Sequence, residues 1–262
     1  MVVGGRSRGT SQGPARRAVA LSVVVPAYNE MHRLPATISL LARELEEVFG
    51  PCWELIVADD GSSDGTPEMV LAWHADEARV RLVALADNQG KGAALAAGFL
   101  AARHDVVAFL DADLPVPVTD LAAMVERVGA SDLVVGSRRL PSSTITTPQP
   151  WPRRLAGRFF LLWVHVCGLR TVSDPQCGVK VLDRTRLAEV VAGAESHRFG
   201  FDLELIEQAR RAGTRVEDHP VTWTHVRGST LRPVRDGIWT LVEVTRLRKR
   251  LGRRPARLSP VL

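Results

Sequence analysis

The chain has little cysteine, a single tyrosine and no long apolar run, and each shortage excludes a class of protein. Its cysteines, Cys52, Cys167 and Cys177, are odd in number and show neither C-x-x-C spacing nor a nearby histidine pattern. That argues against a zinc site or a disulfide framework and for reduced thiols. The longest apolar stretch, Phe159 to Leu169, is interrupted by His165 and is far shorter than the ~20 residues a spanning helix needs. The N-terminal residues lack an apolar segment ending in a small-residue cleavage site, so neither a signal peptide nor a membrane span is expected, and the location expected is cytoplasmic. No repeat of fixed period and no aromatic-basic RNA-binding pattern is present, so nucleic acid is not an expected partner.

What the chain does have is enough apolar residue for a core, 45% of 262 positions, and an uneven positive charge, net +5. Residues 1–18, rich in Gly, Ser and Arg, read as a disordered basic leader, residues 19–245 as one domain, and residues 246–262 as a basic tail. Basic ends of this kind suit an anionic partner such as a membrane surface.

Between them, β-branched runs alternate with helix-spaced apolar residues. Strands are expected at 21–25, 54–58, 80–85, 106–110 and 132–136, with helices at 34–48, 66–73, 92–102 and 119–128. Repeated β-α units imply a mostly parallel, Rossmann-like α/β sheet flanked by helices. Leu140 to Pro152 holds four prolines and reads as a loop. Arg153 to Leu169 reads as an amphipathic helix with Arg153, Arg154 and Arg158 near its start, fit for a membrane interface or, equally, for a core helix with a basic end. A helix at 201–212, a strand at 221–224 and a last amphipathic helix at 237–247 complete the pattern.

The most informative feature is the pair Asp111 and Asp113, at the end of the apolar run Val106-Val107-Ala108-Phe109-Leu110. Open parallel sheets bind ligands beyond the carboxyl ends of their strands. In extended backbone, side chains two apart face the same way, so both carboxylates can meet one divalent cation. Taken alone, D-x-D also suits a turn leading to a helix cap near Asp120. Two further strand ends open on the same edge: Pro26-Ala27-Tyr28-Asn29-Glu30, and Asp59-Asp60-Gly61-Ser62-Ser63-Asp64-Gly65-Thr66.

With these three turns in order, the chain resembles the inverting glycosyltransferases of GT-A fold. The likeness extends through Asn88-Gln89-Gly90-Lys91-Gly92, Gly136-Ser137-Arg138, Asp174-Pro175-Gln176-Cys177-Gly178-Val179-Lys180 and Phe199-Gly200-Phe201-Asp202-Leu203-Glu204. That set is similar to the polyprenyl-phosphate sugar synthases, above all the dolichyl-phosphate glucosyltransferases. The resemblance implies that Pro26, Tyr28, Glu30 and Asp60 hold the donor nucleoside and that Lys91 lies near its phosphates. It implies that Asp111 and Asp113 reach the diphosphate through Mg²⁺ or Mn²⁺. Leu114-Pro115 stand where mannosyl-transferring relatives often carry a glutamine, which argues against GDP-mannose. Eukaryotic relatives bear an N-terminal anchor that is not seen here, so contact with the inner membrane face is expected to be peripheral.

The reaction implied is transfer of a hexose, glucose by this resemblance, from a UDP-sugar to a polyprenyl phosphate. An anionic acceptor needs guanidinium forks more than a base; Arg138, Arg154, Arg158, Arg227 and Lys180 are the candidates. Transfer to a glycan or small-molecule hydroxyl is the alternative, and would need a general base, Asp202 or Glu204. A basic membrane- or nucleic-acid-binding module without enzymatic activity explains the tails but not the acidic crevice.

Overall fold

The computed structural model describes residues 19–169, 172–198, 200–225 and 233–253, with side chains left out at 233–240 and 253. The expected leader, Phe199, Arg227 and the end of the tail beyond residue 253 lie outside the described residues.

The chain alternates as β1 (Leu21–Ala27), α1 (Leu34–Phe49), β2 (Trp53–Asp59), α2 (Thr66–Asp76), β3 (Val80–Ala84), α3 (Lys91–Ala101), β4 (Val106–Leu110), α4 (Val118–Val125) and β5 (Leu133–Ser137). It continues as β6 (Thr144–Thr147), α5 (Trp151–Val166), β7 (Val179–Asp183), α6 (Arg184–Ala192), α7 (Phe201–Arg211), β8 (Val216–Pro220), β9 (Thr222–Thr224) and α8 (Pro233–Arg253). One seven-stranded sheet has the order β3-β2-β1-β4-β7-β5-β8. All its strands are parallel except β7, which runs antiparallel between β4 and β5. The order steps outward from β1 on one side and from β4 on the other, which is where such sheets open a ligand crevice.

Burial explains the regular half. Every residue of β2 is buried, as a central parallel strand requires. Leu34, Ile38, Leu41 and Leu45 recur on one face of α1 and are fully buried, contributing about 1.5–3 kcal/mol each. One apolar cluster fills the α1/α4 face of the sheet and a second fills the α3/α6/α7 face. A third, with Phe160, Val164, Leu203, Val244 and Leu247, joins α5 and α8 to α7.

The second half departs from the sequence reading in particular places. The proline-rich 140–152 segment is not wholly loop: β6 forms within it, between Pro141 and Pro148, and pairs in parallel with β9. Strands β7 and β8 and helix α6 are not among the expected elements, the strand expected at 221–224 matching β9 alone. Helix α8 continues to Arg253, through the first part of the basic tail.

Candidate active site

Two of the three motif turns are stitched to each other. Asn29 Oδ1 accepts from the Ser63 N–H at 2.9 Å, the Asn29 N–H donates to Ser62 Oγ at 2.8 Å, and the Glu30 N–H donates to Thr66 Oγ1 at 3.1 Å. Asp59 accepts from both the backbone and hydroxyl of Ser62. The sequence between the two aspartates and Thr66 thus builds a rigid shelf beyond β1 and β2. Tyr28 stands on it, 46% exposed. Asp60 is buried, and its carboxylate accepts from the Gln89 and Gly90 N–H groups at 2.8–2.9 Å. Burial raises its pKa against the pull of those donors. Of the expected nucleoside ligands, Asp60 therefore holds the turn that carries Lys91, while Tyr28 faces outward.

Strand β4 ends at Leu110, so strand alternation does not bring Asp111 and Asp113 together. A tight turn does: the Leu114 N–H donates to the Asp111 carbonyl at 3.0 Å and Leu114 takes a φ of 45°. Burial, then the Asp111 charge, raises the Asp113 pKa. Burial also raises that of Glu30, with the charges of Asp113 and Asp64 adding and Arg33 opposing. Lys91, the first residue of α3, places Nζ 2.5 Å from Asp111 Oδ1. Burial opposes its charge, but Asp111 and Asp202 outweigh it and hold the ammonium above the usual lysine range. On the other side Gly178 leaves room for the Asp111 carboxylate, since a β-carbon there would overlap Oδ2.

This donor set fits a divalent cation. Two carboxylates lie near enough beyond one strand end that the charge of Asp111 disfavours that of Asp113, beside a space at Gly178 that Asp111 fills. Among the described residues no group of three or more His, Cys, Asp or Glu could hold a metal. A two-carboxylate site completed by substrate phosphates is the arrangement Mg²⁺ commonly takes.

Adjoining Asp111 is a cavity of about 750 Å³ lined by Lys91, Asp111 and Asp202 on the sheet side and by Arg139, Arg154 and Arg158 on the α5 side. Tyr28, Glu30, Asp60 and Asp113 are not part of this lining. Two cations expected here are already neutralised. Arg138 lines the cavity, yet makes a bidentate pair with buried Asp174, at 2.5 and 2.7 Å, because its guanidinium lies where β5 meets the 173–177 turn. Burial opposes the Asp174 charge, but Arg138 wins and holds that carboxyl below its usual value. Lys180 is 2% exposed and donates to Asp202 Oδ1 at 2.8 Å and to the Cys177 carbonyl at 2.9 Å, so it cannot reach a substrate phosphate.

Glu204 is not a base candidate. Two residues beyond Asp202 on α7, it turns away from the crevice and accepts from the Ser196 N–H, Gln208 and Arg250. Asp202 does line the cavity, but as the partner of Lys180. The sequence reading does not single out Arg139, and it quotes Asp174 and Gly178 only within a motif, without a role for either. The Arg138-Arg139 doublet after an apolar strand was the one available signal for the first.

Helix α5 roofs this cavity and carries an exposed stripe. Trp151, Leu155, Phe159, Leu162 and Val166 are 45–74% exposed, and their spacing keeps them within roughly 80° of arc at 100° per residue. Arg154 and Arg158 flank the stripe, while Phe160 and Val164 face the core. Among the described residues no helix is long and apolar enough to cross a membrane.

Comparison with known proteins follows the same outline. Residues 22–171 match the Glycosyl transferase family 2. A dolichyl-phosphate beta-glucosyltransferase of Trichomonas vaginalis is 31% identical over 229 residues, which span 82% of this chain and 69% of that one. Glycosyltransferase AglD of Haloferax volcanii is 33% identical over 235 residues, 87% of this chain but only 37% of the relative's length. Among solved structures, glucosyl-3-phosphoglycerate synthase from Mycobacterium tuberculosis, in complex with Mn²⁺, UDP-glucose and phosphoglyceric acid, aligns with a TM-score of 0.62 at 20% identity, covering 88% of this chain and 80% of that one. Mannosyl-3-phosphoglycerate synthase from Rubrobacter xylanophilus aligns at 0.61 with 19% identity, covering 93% and 77%. At these identities the structural likeness speaks for the fold, which is GT-A.

Proposed function

The chain belongs to glycosyl transferase family 2 and is a glycosyltransferase, and on that premise we propose that it transfers glucose from UDP-glucose, with inversion, to the phosphate of a polyprenyl lipid at a membrane surface. The observation that carries this reading is the cavity in which Lys91 and Asp111 face the unpaired arginines of the α5 side. An acidic strand end suited to a cation on one side and guanidinium groups on the other fit a diphosphate leaving group and an anionic acceptor. The names of the relatives, dolichyl-phosphate beta-glucosyltransferases, support both the sugar and the acceptor class.

Asp111 and Asp113 would hold the divalent cation, Mg²⁺ or Mn²⁺, which when bound neutralises the leaving diphosphate as a Lewis acid. Lys91 adds a fixed positive charge on that side, kept protonated by Asp111 and Asp202. Tyr28, Glu30 and the shelf braced by Asp59 hold the nucleoside, with Asp60 beside them fixing the turn ahead of Lys91. Arg154 and Arg158 orient the acceptor, and Arg227, outside the described residues, is a further candidate. A phosphate monoester is anionic at neutral pH, so its oxygen needs alignment with the anomeric carbon rather than deprotonation. Asp202, tied to Lys180, then positions Lys91 rather than acting as a base. The exposed stripe of α5 lies in the interface, where a lipid acceptor presents its phosphate.

The deciding experiment incubates the protein with labelled UDP-glucose and Mg²⁺ or Mn²⁺, offering a short polyprenyl phosphate, the corresponding prenol and an oligosaccharide in parallel. Label is expected in the prenyl phosphate alone. Label in the prenol or the oligosaccharide, with none in the phosphate, overturns the reading in favour of a hydroxyl acceptor.

A further inference from the structure

Four guanidinium groups line the α5 side of the cavity without a carboxylate: among the described residues, Arg139, Arg153, Arg154 and Arg158 form no salt bridge. Arg139 is the best placed of them. It directly follows Arg138 beyond the carboxyl end of β5, on the edge where the sheet binds ligands. Its backbone N–H is fixed by Ser137 Oγ at 3.1 Å. Its side chain reaches across to α5, where Nη2 lies 3.3 Å from the position a β-carbon on Gly157 would take. Arg158 is the next residue of that helix. Burial pushes the Arg139 guanidinium below its usual range; the Asp174 charge opposes this, and the charges of Arg138 and Arg158 add to it. Helix interiors disfavour glycine by about 1 kcal/mol relative to alanine, and the Arg139 guanidinium is the one described group that a β-carbon at 157 would crowd.

We propose that Arg139, and not its paired neighbour Arg138, joins Arg158 to grip the phosphate of the acceptor, and that residue 157 is glycine so that the Arg139 guanidinium can lie against α5. The inference rests on the acceptor class proposed above and assigns the residues that select it. It also links headgroup to tail, because the helix that seats Arg139 is the one that carries the exposed apolar stripe.

Calorimetric titration with geranyl phosphate, geraniol and inorganic phosphate tests the site apart from turnover. Arg139→Ala is expected to weaken geranyl phosphate binding at least tenfold, as loss of a charge-assisted fork implies, with UDP affinity and melting temperature unchanged. Arg139→Lys should recover part of the loss. Gly157→Leu should match Arg139→Ala, and in transfer assays both should raise the KM for geranyl phosphate without moving that for UDP-glucose. Wild-type affinity in Arg139→Ala, or a wild-type protein that binds neither geranyl phosphate nor inorganic phosphate, overturns the site. Arg139-dependent binding without any transfer leaves the site standing and removes the proposed reaction. Transfer with an unchanged acceptor KM in Arg139→Ala does the reverse.

Discussion

Gly178 lies so close to Asp111 that any side chain at position 178 would overlap Oδ2 of that carboxylate, while the Gly178 carbonyl accepts the Asp111 N–H at 3.1 Å. The glycine, just ahead of β7, thus shapes the position of the carboxylate proposed to hold the metal. Gly178→Ala is expected to lower transfer by ~10² or more by turning Asp111 out of place, as should Asp113→Ala and chelation by EDTA. Circular dichroism of both variants should remain native. Full activity in either, or insensitivity to EDTA, would sink the metal assignment.

Asp60, proposed to serve the nucleoside, also holds a turn. Its carboxylate holds the Gln89 and Gly90 N–H groups ahead of Lys91, so Asp60→Ala should cost about 1–3 kcal/mol of stability and also weaken UDP. Denaturant melts and UDP titration should move together; a variant with native stability would show that the turn does not need the carboxylate.

The buried pair Lys180–Asp202 separates positioning from base catalysis. Asp202→Asn alone leaves a buried ammonium unpaired and should destabilise by about 3–5 kcal/mol. Adding Lys180→Met should restore much of that stability, and the double variant should keep appreciable transfer to prenyl phosphate. A stable double variant that has lost ~10² or more in kcat, together with the neutral limb of the pH profile, would make Asp202 the base of a hydroxyl-acceptor enzyme.

Arg138 should matter for stability before activity. The Asp174 carboxyl ordinarily titrates near 3.8 and is held lower in the fold, so the pair stabilises fully above that pH and its contribution is lost as pH falls through the depressed value. Arg138→Ala should therefore cost about 3–5 kcal/mol near neutrality, with the gap to wild type narrowing in acid. Urea denaturation at neutral and acidic pH measures this; a gap independent of pH would count against the linkage.

At a membrane, the protein should bind anionic liposomes and release them as salt rises, since each basic residue near the surface adds roughly 1 kcal/mol that salt screens. Replacing Leu162 and Val166, stripe residues outside the cavity lining, by serine should reduce liposome binding more than tenfold and leave transfer to a water-soluble prenyl phosphate nearly intact. Co-sedimentation unaffected by these substitutions would remove α5 from the interface.

The sequence by itself determined the parallel half of the sheet, because apolar periodicity over 21–110 reports burial. It also determined which strand ends carry carboxylates. It did not reveal β7, whose Val-Lys-Val-Leu-Asp stretch holds a lysine that looks exposed until Asp202 from α7 is brought to it. Nor did it separate Arg138 from Arg139: adjacent and chemically identical, they differ only because Asp174, from another segment, neutralises one of them. Which charges are spent within the fold and which are left for a ligand depends on partners far apart in the chain, and that was decided by tertiary structure alone.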